Sequence, residues 1–192
     1  MPEQLSFAGF EASPLPTESV FVAILPDEEA SVRIAQIARR VRDKHKLTGR
    51  PLAVWRFHVS LHYVASHVSA NVVVEASDVV STIEMPPFRV AFDRVKSLRG
   101  NRRDRPLVLA GGDGLVGLVQ FQHKLGPAME RAGLGRWIGP SWLPHLTLLY
   151  GSREVEEQAI EPVSWTVREF ALVHSLLGRN RYIPLARWPL RG

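Results

Sequence analysis

Apolar and polar positions alternate with two different periods along this chain, and each change of period marks an element. The run 19–26 (SVFVAILP) is apolar without a break and stops at Pro26, which predicts a buried strand. Asp27 follows as an N-cap, with Glu28 and Glu29 in the first turn, where the helix dipole favours acids. Val32, Ala35, Ile37, Ala38 and Val41 then form a stripe at helical spacing, predicting a helix over 28–45. Alternation over 57–64 predicts a strand, 69–83 a second helix, and 88–98 another strand. The turn GNRRD (100–104) leads into the strand RPLVLA (105–110). A third helix is expected over 114–132, kinked or split near Gly126-Pro127. Strands over 146–150, 167–176 and 181–188 complete the pattern, with turns at Gly151-Ser152 and Gly178-Arg179-Asn180. Residues 1–18 hold prolines, a glycine and no periodicity, and are expected to form a flexible tail ahead of a single bilobal domain over 19–192.

Two internal echoes run through this pattern. A shift of 78 residues superposes 92–107 on 170–185 with eight identities in sixteen positions, among them Phe92/Phe170, Gly100/Gly178, Arg103/Arg181 and Pro106/Pro184. A shift of 87 superposes HVSLHY (58–63) on HLTLLY (145–150). Two echoes in the same order predict a duplicated, two-lobed fold with pseudo-twofold symmetry.

Composition narrows the class. The chain has 192 residues, 45% hydrophobic and 22% charged, so it can build its own core without a staple. It has no cysteine, which excludes disulfides, thiolate nucleophiles and cysteine-held metals. Its apolar runs are too short to span a bilayer, and acids (Glu3, Glu11, Glu18) occupy the place of a signal peptide's basic start. A cytoplasmic monomer with no membrane contact is the expectation. A formal net charge of +5 leans towards polyanionic partners. The basic clusters at 33–46, 94–105 and 179–191 fit solvated faces as well as a nucleic-acid footprint.

The candidate chemistry lies in the second echo. On a strand, His58 and Ser60 share one face, with Phe57, Val59, Leu61 and Tyr63 on the other. His145 and Thr147 likewise share a face, and Leu146, Leu148 and Tyr150 turn towards a core. Duplication would bring the two polar faces together across a groove. Two facing imidazoles can divide acid–base labour, one taking a proton from the attacking oxygen and one giving a proton to the leaving oxygen. The hydroxyls of Ser60 and Thr147 can donate to the non-bridging oxygens of a phosphoryl group. By parity His62 and Arg56 lie on the His58 face; His62 either edges the groove or meets solvent, and Arg56 is a candidate phosphate contact. Trp142 groups by parity with Leu146 and Leu148 and is expected in the core.

FHVSL (57–61) and PHLTL (144–148) resemble the paired H-x-[ST]-hydrophobic motifs of the two-histidine phosphoesterases, in particular the 2'-5' RNA ligase/RNA 2',3'-cyclic phosphodiesterase family. FVAILPDEEA (21–30) resembles that family's first strand and helix start, so the likeness covers about 19–190. Ser60 stands where threonine is commoner, and keeps the donor. The resemblance implies an α+β fold of two antiparallel sheets with helices on their outer faces and a central groove. It implies His58 and His145 as the acid–base pair, with the proton donor at His58 by family habit, and Ser60 and Thr147 on the phosphate. The implied reaction opens a 2',3'-cyclic phosphate RNA end to a 2'-phosphate, with no metal and no cofactor, and its reverse gives a 2'-5' linkage. Alternatives are hydrolysis of small cyclic phosphates from nucleosides or ADP-ribose, and a non-catalytic RNA-binding module on the same fold.

Two other motifs carry less. His58, His62 and His67 cannot share a metal from one strand, because four residues of strand separate side chains by roughly 13 Å. Gly112, Gly114 and Gly117 spell G-x-G-x-x-G, but no acid stands at the end of the next strand, so a glycine-rich helix start is expected instead.

Overall fold

Short-range chemistry fixes where the helices begin. In the computed structural model, which describes residues 18–66, 68–100, 104–136, 138–176 and 181–192, the Asp27 carboxylate accepts from the Ala30 amide at 2.8 Å and opens helix α1 (Glu28–Lys44). Ser69 caps α2 (Ala70–Ser81) in the same way through the Val72 amide. Helix α3 (Val116–Arg131) runs unbroken through Pro127, so the expected split does not occur. The buried stripe of α1 centres on Ile34, Ala38 and Val41, which leaves Val32 half exposed rather than in the core. No helix among the described residues is long and apolar enough to cross a membrane.

Among the described residues, eight strands form two antiparallel four-stranded sheets. The first contains β1 (Glu18–Ile24), β2 (Val59–Ala65), β7 (Glu169–Leu176) and β8 (Arg181–Pro189), in the order β2-β1-β7-β8. The second contains β3 (Phe88–Ser97), β4 (Arg105–Ala110), β5 (Leu146–Gly151) and β6 (Gln158–Val167), in the order β5-β4-β3-β6. The α+β architecture of two antiparallel sheets with helices is therefore as expected. Strand β6 is not: its sequence holds Pro162, which argues against a central strand. Here β6 is an edge strand, and the register slips beside Pro162, where Phe92 faces Val163 but Arg94 faces Ala159.

The duplication holds for the units β1-α1-β2 and β4-α3-β5, which occupy matching places in the two sheets. The hairpin echo does not lie on the same operation. Strand β4 sits inside its sheet between β3 and β5, whereas β8 forms an edge beyond β7. The tail through residue 17, His67, Asn101–Arg103 of the first expected turn and Gly178-Arg179-Asn180 lie outside the described residues.

The two lobes are interlocked. Helix α1 leaves the first sheet but packs against β5 and β6 of the second, and α3 leaves the second sheet yet packs on β2 of the first as well as on β3. One buried cluster consequently runs from Val22 and Leu172 through Ile34 and Phe121 to Phe92 and Leu148. The segments after these helices cross over too. Leu52 donates its amide to the Leu148 carbonyl at 2.8 Å, and Gly49 lies so close that a Cβ there would stand 1.9 Å from the Tyr150 carbonyl oxygen. Reciprocally, a Cβ on Gly135 would stand 1.9 Å from the Tyr63 carbonyl oxygen, and Gly135 has φ +83°.

Gly135→Ala therefore meets a backbone clash on top of a left-handed conformation, and should cost about 3 kcal/mol or more. Gly133→Ala shares the positive φ (+74°) but has open space around its Cβ, and should cost about 1–2 kcal/mol. Urea denaturation of the two variants measures the difference.

Candidate active site

Each motif holds one extra residue, which sets what faces the groove, and β2 carries a second irregularity at Val64 beyond its motif. Against β1, Ser60 pairs with Ala23 and His62 with Val22, so Leu61 bulges between them. Against β4, Thr147 pairs with Val108 and Leu149 with Leu107, so Leu148 bulges in the same place. The bulge reverses parity in both copies. Leu61 and His62 both turn to the core, as do Leu148 and Leu149, while Tyr63 and Tyr150 come round to the groove. The expectation of strict alternation fails at these positions. Tyr63 and Tyr150 are 49% and 42% exposed instead of core, and His62 is buried instead of sharing the His58 face. The His62 Nε2–H donates to the Leu134 carbonyl at 2.6 Å, pinning β2 to the segment after α3.

His58 and His145 occupy the groove as twins. A one-turn 3-10 helix precedes each motif, over Val54–Arg56 and Gly139–Ser141. Each histidine then donates Nδ1–H to the carbonyl two residues back: His58 to Arg56 at 2.8 Å, His145 to Leu143 at 2.8 Å. A carbonyl only accepts, so in the neutral ring the proton sits on Nδ1 and the lone pair on Nε2. Ser60 is exposed on the groove side of β2, and Thr147 is half-buried on that of β5, sharing a hydrogen bond with Tyr150.

The surroundings of the twins differ. The His58 ring sits 5.0 Å from the Phe21 ring and 5.0 Å, edge-on, from Tyr182. Burial there holds its pKa below the usual histidine value, against the raising effect of the Arg56 carbonyl, and the nearby charges of His145 and Arg56 push the same way as burial. Arg56 lies over the Tyr182 ring at 5.2 Å and is felt electrostatically at both His58 and Tyr150, so the groove holds a guanidinium between the two motifs. Burial raises the Tyr150 phenol, and the proximity of Tyr182 adds to the effect. Trp142 is half-buried at the lobe junction, where its indole Nε1 donates to the Ser60 carbonyl at 3.1 Å. His58, Ser60, His145, Thr147 and Arg56 thus stand at the groove, and His62 is buried at its edge, on the wall of the small cavity that Ser60 and His145 also line.

The glycine-rich segment serves packing. A Cβ on Gly114 would lie 2.6 Å from the Ala91 carbonyl oxygen of β3, so the glycine lets the start of α3 settle on the sheet. Among the described residues no group of three His, Asp or Glu is placed to hold a metal ion.

Comparison with known proteins agrees with this geometry. A model of the 2'-5' RNA ligase superfamily matches residues 26–179. The chain belongs to that superfamily. It is 30% identical over 177 residues to the RNA 2',3'-cyclic phosphodiesterase of Escherichia coli (strain K12), covering 90% of this chain and 97% of that protein. Escherichia coli LigT, solved in complex with 3'-AMP, superposes with a TM-score of 0.71 and 30% identity over 91% of this chain and 99% of its own. A solved phosphoesterase matches with a TM-score of 0.71 and 28% identity over 92% of this chain and 99% of its own. This member of the superfamily also carries groove residues that the sequence reading passed over: Phe21, Trp55, Tyr182 and, beside His145, Arg136. One signal for Trp55 was available, since the 87-residue shift also pairs it with Trp142.

Burial lowers the pKa of His62 as well as that of His58. Above pH 6.5 these rings are neutral in folded and unfolded chains alike, and they add no pH dependence. Below 6.5 the unfolded chain binds protons that the folded one refuses, so stability falls as pH drops from 6.5 towards the lowered folded values. His62→Gln keeps a donor for the Leu134 carbonyl without the titration. Its denaturation midpoint should fall less than that of the parent between pH 7 and pH 5, and equal slopes would contradict the assignment.

Proposed function

We propose that this chain opens 2',3'-cyclic phosphate ends of RNA to 2'-phosphates, using two histidines and no metal. The observation that carries the reading is the pair of imidazoles, each with Nδ1–H tied to a carbonyl and Nε2 left for proton transfer, on matching strands of one groove. The names of its relatives, an RNA 2',3'-cyclic phosphodiesterase and a LigT solved with 3'-AMP, support a nucleotide-bearing phosphodiester as the substrate class.

The reaction needs one proton taken and one given. Water attacks phosphorus opposite O3', the new P–O bond forms as the P–O3' bond breaks, and the departing O3' is protonated. Burial and the nearby positive charges disfavour the imidazolium at His58, so His58 accepts the proton from water. His145, on the open side of the groove, protonates O3'. This reverses the roles that family habit suggests, and the cause is the aromatic box of Phe21 and Tyr182 around His58. Ser60 and Thr147 donate to the non-bridging oxygens, and the Arg56 guanidinium balances their charge. The same steps in the same direction, with a 5'-hydroxyl attacking in place of water and O3' again leaving, give a 2'-5' linkage, a weak activity unless the second strand is held in the groove.

An oligonucleotide ending in a cyclic phosphate should be converted to the 2'-phosphate in the presence of EDTA, and no ring opening under any condition would overturn the enzymatic reading. His58→Ala and His145→Ala should each lower the rate on the order of 10²–10⁴-fold, and the double variant should be little worse. Ser60→Ala or Thr147→Ala should cost about 10²–10³-fold. On a diester with a p-nitrophenolate leaving group, which needs no protonation, His145→Ala should recover most of its loss and His58→Ala should not. Because the base must be neutral and its pKa lies below 6.5, the acidic limb of the kcat/KM profile of the parent should lie below pH 6.5. Recovery in His58→Ala instead would exchange the two roles.

A further inference from the structure

The groove holds a second guanidinium that the chemistry above does not use. Arg136 is exposed and, together with Ser60, Gln122, Trp142 and His145, lines a cavity of about 220 Å³. No acidic residue among the described ones lines that cavity, and among them no hydrogen bond or ion pair engages Arg136. The backbone that carries it is fixed. The His62 Nε2–H donates to the Leu134 carbonyl at 2.6 Å, and Gly135, at φ +83°, is pressed on the Tyr63 carbonyl at the end of the first histidine motif. Arg136 is the next residue. The other lobe repeats the device: Gly49 is pressed on the Tyr150 carbonyl at the end of the second motif, and the exposed Arg50 follows it. Close packing explains a glycine at each place. It does not explain the arginine that follows.

We infer that Arg136 holds the phosphodiester one nucleotide upstream of the cyclic phosphate, and so selects an RNA strand over a free nucleoside cyclic phosphate. The cavity lies beside His145, which protonates O3', so the ribose that carries O3' sits against it. From that ribose the strand continues through C4', C5' and O5' to the next phosphate, where a long cationic side chain beside Ser60 and His145 meets it. A guanidinium presents paired donors that match two phosphate oxygens, and it stays charged at every working pH. A space of this size takes a phosphate and not a further base. Arg56, over the Tyr182 ring at 5.2 Å between the motifs, serves the reacting phosphate, so the two guanidiniums answer to two different phosphates. The inference rests on the phosphodiesterase reading for the place of O3', and adds to it the class of substrate preferred.

The test uses two substrates that differ by one phosphodiester: adenosine 2',3'-cyclic phosphate, and the same nucleotide carrying a 5'-O-(methyl phosphate). In the parent protein the added group should raise kcat/KM by about 10-fold or more, mainly through KM, the scale of a charge-assisted contact. In Arg136→Gln that ratio should fall to about one, and in Arg136→Lys part of it should survive. On a log–log plot against salt, kcat/KM of the parent should fall more steeply for the esterified substrate, by about 0.7 in slope, the share of one phosphate contact. Arg136→Gln should remove that difference. A parent that does not distinguish the two substrates, or a ratio that survives in Arg136→Gln because both substrates lose equally, overturns the inference. Calorimetric titration with adenosine 2'-monophosphate and with its 5'-O-(methyl phosphate) ester separates this from failure of the catalytic reading. If neither cyclic phosphate is turned over, the phosphodiesterase reading fails, yet a roughly 10-fold tighter ester in the parent, lost in Arg136→Gln, still supports the phosphate site. Equal affinities of the two ligands in the parent overturn it.

Discussion

The groove depends on one extra residue inside each of the two histidine motifs. A regular strand would put Ser60 and His62 on one face and bury Tyr63; the bulge at Leu61 buries His62 and turns Tyr63 outward. The bulge at Leu148 does the same for Leu149 and Tyr150. A bulge frees ladder groups and bends the strand, and it persists only where something else satisfies those groups. Here the segment arriving from the other lobe does so. The Leu52 amide takes the Leu148 carbonyl, the Trp142 indole takes the Ser60 carbonyl, and His62 reaches back to Leu134. The shape of the site and the joining of the lobes are thus one set of contacts.

Identical local geometry then yields two different imidazoles. The backbone treats His58 and His145 alike, with the same Nδ1 bond at the same length. What separates them is placed by strands far away in the sequence: Phe21 on β1 and Tyr182 on β8 enclose only His58. Desolvation acts on the charged form alone, so an aromatic enclosure shifts a proton equilibrium without any acidic or basic partner. The two copies of the motif are told apart by their walls and not by their backbone.

Much of this was legible in order. The start of α1 was legible because the Asp27 cap acts within one turn, and local chemistry of that kind is written in adjacent residues. The paired His-x-Ser/Thr motifs were legible because duplication repeats them at a fixed shift. The parity reversal was not, since nothing in HVSLHY marks Leu61 as extra; only the register against Val22 and Ala23 does. Strand β6 was hidden by Pro162, whose meaning depends on the strand lying at an edge. The tryptophans share one sequence relation and differ in role, because burial is decided by which neighbouring segment covers them.

The crossing of α1 and α3 bears on how the chain comes apart. Helix α1 packs on β5 and β6 of the second sheet, and α3 packs on β2 of the first as well as on β3 of its own, so each lobe shares its core with a helix of the other. Neither lobe can be peeled away without opening the core of its neighbour, and the two should melt as one unit.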